Sequence, residues 1–289
     1  MGSVLISQLL PTLQKLEWSG SPHATTAGAV VFRTTIDQVD GYRGDPKVLA
    51  AALRTTRTGD SLPFAYAGVA YILLAASAPP ASAPRTSAPQ TAAPNAASES
   101  DRYDSTGLQA ALTWLEKAQD LAPDEVEINI IEPLIYIHEK RYDDARVVLD
   151  YLHGEAPDNY YLLRAEMSYW QHVGDHSQAL EWNQRALEAA ETVPQRLRLK
   201  SVAAAIHQEA GETAQAMQAY KEALHFDANN AWLCHQISLI GYELEEFEEA
   251  VRFNERALNL QPDFAEARQL KEILAERNRS SGFLGRLFS

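Results

Sequence analysis

Few residues in this 289-residue sequence are spaced to do chemistry. Cys234 is the single cysteine. It falls on the bulky stripe of a helical pattern, which favours a packed thiol over a reactive one. One cysteine cannot form an intrachain disulfide, so nothing implies an oxidising compartment. His172 and His176 stand four apart with Asp175 between them, a spacing that can hold a metal on one helix face. Gly174 interrupts that helix, and no third ligand pair lies at a useful distance. The carboxylate pairs Glu245–Glu246 and Glu248–Glu249 fall around a turn between helices and read as solvated surface. An acid–base dyad would need a shielded pocket. No glycine-rich phosphate cradle occurs. The residues therefore support no catalytic group, no cofactor and no metal site, and the chain is expected not to be an enzyme.

Composition narrows the partners. The formal charge is −14, from 25 basic and 39 acidic residues. Such a surface disfavours non-specific binding to nucleic acid and electrostatic docking on anionic lipid. The 46% hydrophobic content excludes a wholly disordered chain. The first residues, MGSVLISQLLPTLQKLEW, lack a basic start, and Pro11 breaks their apolar stretch, so no secretory signal is expected. The longest apolar run, Phe64–Ala76, is well short of the roughly 20 residues of a membrane span and reads as a core helix. A cytoplasmic protein is the default expectation.

The elements that would position any site come from a repeat. The stretches ALTWLEKAQDLAPDE, ARVVLDYLHGEAPDN, ALEWNQRALEAAE, AMQAYKEALHFDANN and AVRFNERALNLQPDF share one pattern. They are led by Ala111, Ala145, Ala179, Ala216 and Ala250, at spacings of 34, 34, 37 and 34. Seven residues after the lead, Ala118, Ala186, Ala223 and Ala257 recur, with Leu152 in the second copy. Pro123, Pro157 and Pro262 stand twelve after it. Gly174 and Gly211 lie five before their leads. Small residues let two helices approach closely, and a proline stop forces the chain to turn. One such hairpin cannot bury its face alone, so hairpins must stack.

The pattern resembles the tetratricopeptide repeat, which has a 34-residue period. The resemblance covers residues 61–262. It implies an all-α solenoid of helical hairpins, coiled as a right-handed superhelix, with about five repeats after a divergent N-terminal extension. Phe64, Ala67, Gly68 and Tyr71 match the first helix of a repeat. Three departures stand out: Pro133 should kink or shorten a helix, Asn183 and Asn254 replace an aromatic, and Glu166 takes an apolar place.

Outside the repeats, residues 1–60 are expected to be partly helical and to cap the array. Leu5, Leu9, Leu13 and Leu16 fall at helical spacing, Ala29–Thr35 reads as extended, and Pro46–Thr56 reads as a helix. A Pro/Ala/Ser-rich insertion over 78–105 is expected to be disordered. A charged capping helix is expected over 263–279 and a flexible hydrophobic, basic tail over 280–289.

The resemblance implies a concave groove lined by the first helix of each repeat, which would take a peptide or helix. Carried over residue by residue, its candidate lining is Tyr161, Arg164, Gln171, His172, Arg198, Gln208, Trp232, His235 and Tyr242. Tyr, Trp, Arg and His suit interface anchoring. The Lys and Asn set with which some co-chaperones of this family grip a terminal carboxylate is missing: Ser168, Val202, Trp232 and Gln236 occupy its places. In the first two repeats the groove face is apolar, with Val69, Ile72, Leu134 and Ile137, and is expected to be covered by Leu5, Leu9, Leu13 and Leu16 of the N-terminal segment or, alternatively, by a partner. The expected role is a protein-interaction scaffold with a protein or peptide partner. The alternative is an assembly factor held at a membrane surface by its SSGFLGRLFS tail. Residues 1–100 carry a net +1 and residues 101–289 a net −15, so the acidity belongs to the repeats, and mostly off the groove.

Overall fold

The computed structural model describes residues 2–40, 42, 45–78 and 103–287, the side chains of 2–4 and 278–287 excepted. Within them the chain is helical, with no named β-strand, and it divides into two compact units, residues 1–169 and 170–289. The first unit holds α1 (Gly2–Lys15), α2 (Thr26–Asp40), α3 (Pro46–Thr56), α4 (Leu62–Ala76), α5 (Ser105–Leu121), α6 (Val126–Asn129), α7 (Ile131–His138), α8 (Tyr142–Glu155) and most of α9 (Tyr160–Val173). The second holds α10 (His176–Ala189), α11 (Val193–Glu209), α12 (Thr213–Ala223), α13 (Ala231–Glu243), α14 (Phe247–Leu260) and α15 (Ala265–Leu287).

The repeat period shows physically in two places. All five lead alanines have 0% exposure, each near the start of the second helix of a hairpin. At Gly241 an added Cβ would stand 3.3 Å from the Ala250 backbone nitrogen, so neither side of that crossing has room for more than it carries. The second place is the turn. Five residues before a lead, the chain adopts a left-handed conformation at Lys140, Gly174, Gly211 and Glu245. The residue after each donates its N–H to the carbonyl five residues back, as Asp175 does to Trp170 and Glu246 does to Gly241. This is the Schellman closure of a helix C-terminus. Glycine takes the conformation freely, whereas Lys140 and Glu245 hold it at about 1 kcal/mol each.

The departures from the pattern are resolved locally. Pro133 cannot donate a hydrogen bond and crowds the carbonyl of Asn129. The helix accordingly breaks at Ile130, into α6 and α7. Glu166 is buried but paired with Arg146 by two parallel bonds of 2.7 and 2.8 Å. Asn183 and Asn254 are buried too. Each donates its side-chain amide to a backbone carbonyl of the following helix, Leu199 and Ala267 respectively, at 3.0 Å.

Two expectations for the ends need correction. Ala29–Thr35 is not extended; it belongs to α2. Its β-branched residues raise strand propensity, but Gly28, Phe32, Thr35, Ile36 and Val39 are buried at helical spacing. Thr34 and Thr35 donate their hydroxyls to the carbonyls of Val30 and Val31, one turn back. Together α2 and α3 pack on each other and on α4 as a further hairpin ahead of the first recognised repeat. The stretch expected to be disordered over 78–105 lies outside the described residues across 79–102, and Ser105 opens α5. Finally, α15 does not stop at residue 279 but continues to Leu287, into the stretch read as a flexible tail.

The cover of the first repeat differs from expectation at three of its four leucines. The α1 helix buries Ile6 and Leu13, leaving Leu5, Leu9 and Leu16 half-exposed, and it packs on α5 and α4. Gly107 makes that approach possible, since a Cβ there would sit 2.8 Å from the Ile6 side chain and 2.0 Å from the Ser77 hydroxyl. From the α2–α3 hairpin, Phe32 meets Phe64 and Thr56 presses on Gly68, where a Cβ would come within 2.5 Å of its hydroxyl.

Candidate functional site

In the first unit, the candidate groove residues Tyr161 and Arg164 lie under α2. The Arg164 guanidinium is 2.8 Å from the Asp40 carboxylate, and the two side chains are 9% and 8% exposed. Asp40 also accepts a hydrogen bond from the Tyr71 hydroxyl at 2.8 Å. Burial alone would lower the pKa of Arg164; Asp40, then Tyr71 and Tyr160, outweigh it and hold the guanidinium charged. Burial, and after it the Asp37 carboxylate, raises the pKa of the Tyr161 hydroxyl. Two turns before Asp40 on α2, Arg33 grips the buried Glu127 of α6, with its Nε 2.9 Å from Oε1. This stretch of the expected groove is thus filled by the chain itself.

The second unit carries the remaining candidates, and they divide into two groups. His235 is 3% exposed and faces the Phe264 ring, with centroids 4.9 Å apart. Tyr242 packs edge-on against Phe247 and joins the cluster built on Leu270 and Leu274 of α15. Both sit beneath or beside the C-terminal helix. Gln171, His172, Arg198, Gln208 and Trp232 keep at least part of their surface in solvent. Gln171 donates to both carboxylate oxygens of Glu209 at 3.0 Å. Gln208 accepts from the Tyr220 hydroxyl at 3.1 Å. Trp232 stands edge-on to Tyr220 at 5.7 Å, a half-buried ring braced for contact.

Among the described residues, no three His, Cys, Asp or Glu side chains gather as a metal-binding group. His172 ends one helix and His176 opens the next, with Gly174 left-handed between them. Cys234 is fully buried, and burial pushes its thiol pKa up, away from the reactive thiolate.

His235 gives the site a pH dependence. Neither of its buried ring nitrogens has a hydrogen-bond partner. Burial lowers its pKa from 6.5, and Glu266 offsets this only in part. The unfolded chain therefore takes up a proton at a pH where the folded chain does not, and stability falls as the pH drops below about 6.5. His235→Phe is expected to flatten the dependence of the denaturation midpoint on pH between about 7 and 5. An unchanged slope would assign the acid sensitivity elsewhere.

Paired helices at a 34-residue period, closed by the same turn and pressed together at the same buried alanines, decide the architecture. The fold is a tetratricopeptide-type helical array. No family model and no curated protein matches the sequence. Among solved structures, the array is similar to YrrB, described as a TPR protein with an unusual peptide-binding site, at 19% identity over 58% of this chain and 84% of that one, TM-score 0.43. It is similar to Pseudomonas aeruginosa pilF at 15% identity, over 63% and 85%, TM-score 0.49. It is similar to MamA at 18% identity, over 56% and 86%, TM-score 0.44.

Within this tetratricopeptide array, sequence reasoning missed Asp37, Asp40 and Arg33, the α2 residues that occupy the first unit's groove positions. Their partners lie far along the chain, so no local spacing could reveal them. The Asn183 and Asn254 latches did leave a signal: both stand four residues after their lead alanine. Among the described residues, no helix is long and apolar enough to cross a membrane.

Proposed function

We propose that the protein is a non-enzymatic interaction scaffold whose second unit takes a peptide or helix of a protein partner along the first-helix faces of its repeats. The observation that carries this reading is the exposure of Gln171, His172, Arg198, Gln208 and Trp232 on those faces, while Tyr161 and Arg164 of the first unit are already occupied by α2. A half-buried tryptophan on one first helix, with an arginine and amide side chains on the others, has the make-up of an interface anchor with polar groups around it.

The test is affinity capture with the full chain and with a Gln171→Ala/Arg198→Ala/Trp232→Ala variant whose helicity and melting are checked first. Loss of a captured partner on substitution is the expected result. Truncating a tryptophan or arginine anchor commonly costs about 2 kcal/mol or more, some thirtyfold in affinity. An unchanged set of partners would overturn the assignment to this face.

A further inference from the structure

The first unit contains a cleft that the groove reading does not use. It lies between α1 and α5, with a volume of about 810 Å³. Its shape follows from the side chains at its two ends. At one end Gly107 lets Ile6 come down onto α5. At the other, Trp18 and Trp114 hold the backbones apart, their rings 5.4 Å from centroid to centroid. Trp18 is fixed there because the chain just after it is pinned to the start of α4: Ser21 donates to the Asp60 carbonyl at 2.6 Å and accepts from Leu62 at 2.8 Å. Tyr66 completes the aromatic end, 6.0 Å from Trp18 and 5.5 Å from Trp114. Between the ends, Leu10, Leu13 and Leu16 face Ala110 and the short side chains of α5, which cannot fill the space.

The cleft has a distinct chemistry. One wall is leucine and the closed end is aromatic; the α5 wall carries hydroxyls and an amide from Thr106, Gln109 and Thr113. In a chain with 39 acidic residues, no carboxylate lines it. Its one charge is the Lys117 ammonium, 4.1 Å above the Trp114 ring centroid, and among the described residues this lysine makes no ion pair. The volume is that of a small-molecule site, with a leucine and aromatic wall facing a polar one.

We propose that this cleft binds a free single-chain anionic amphiphile, a hydrocarbon chain ending in a carboxylate. The chain lies along Leu16, Leu13 and Leu10, and the carboxylate meets Lys117 at the aromatic end. Two features select this ligand class. A row of leucines from Leu10 to Leu16, about two helical turns long, suits a short linear hydrocarbon. A lone cation in a carboxylate-free lining favours an anion and disfavours a cation.

The test uses dodecanoate below its micelle concentration, followed by intrinsic tryptophan fluorescence and by equilibrium dialysis on the full chain. Saturable binding of one dodecanoate per chain is expected, with dodecyltrimethylammonium at least tenfold weaker. Lys117→Gln, an exposed change on a helix surface, should weaken dodecanoate about tenfold and leave dodecanol unchanged. Ala110→Leu, a good helix former that fills the trough, should abolish binding of both. Absence of saturable binding, equal affinity for the anionic and cationic amphiphiles, or binding only to anionic phospholipid vesicles would each overturn the proposal.

Discussion

Asp40→Ala is expected to lower the stability of the first unit by about 3–5 kcal/mol, the usual cost of leaving a buried charge without its partner. The Arg164 guanidinium is 9% exposed, its counter-ion is the Asp40 carboxylate at 2.8 Å, and Tyr71 would lose its acceptor as well. Chemical denaturation followed by far-ultraviolet circular dichroism measures the effect. The double variant Asp40→Ala/Arg164→Met should recover much of the loss, because it removes both charges and refills the space with an apolar chain. If Asp40→Ala unfolds at the wild-type midpoint, α2 does not hold the face on which Arg164 lies.

Leu13→Ala is expected to cost about 2–5 kcal/mol, the range for truncating a fully buried leucine, because Leu13 is 1% exposed between α1 and the α4–α5 hairpin. Leu9→Ala, at a half-exposed position one turn earlier, should cost about 1 kcal/mol or less. The contrast tests the rotational phase of α1. Equal losses at the two positions would place Leu9 in the buried stripe beside Leu13, as the leucine spacing alone suggests, in place of Ile6.

What could be read in advance depended on the range of the physics involved. A size limit at a helix crossing recurs wherever the crossing recurs, so the alanines from Ala111 to Ala250 marked the hairpins in sequence. The left-handed turn was legible where glycine filled it, at 174 and 211, and hidden where Lys140 and Glu245 hold the same conformation. Residues 29–35 misled because four β-branched residues in seven outweigh periodicity in a short window; over the 15 residues of α2 the helical spacing is plain. The occupied groove was not legible at all. Asp40 and Arg164 carry no local signature, and only the folded chain brings them together. The aromatic end of the α1–α5 cleft is of the same kind, assembled from Trp18, Tyr66 and Trp114 on three separate segments.

The asparagine latches bear on how such an array can grow. Asn183 and Asn254 reach across to the next helix but bond a backbone carbonyl, the one feature every residue there possesses. The join therefore makes no demand on the side chain opposite. A hairpin carrying it could be followed by any other hairpin of the same pitch, and a duplicated or transplanted unit would find its bond waiting. Interfaces built from matched pairs, such as Arg146 with Glu166, lack this freedom, since each half must travel with the other.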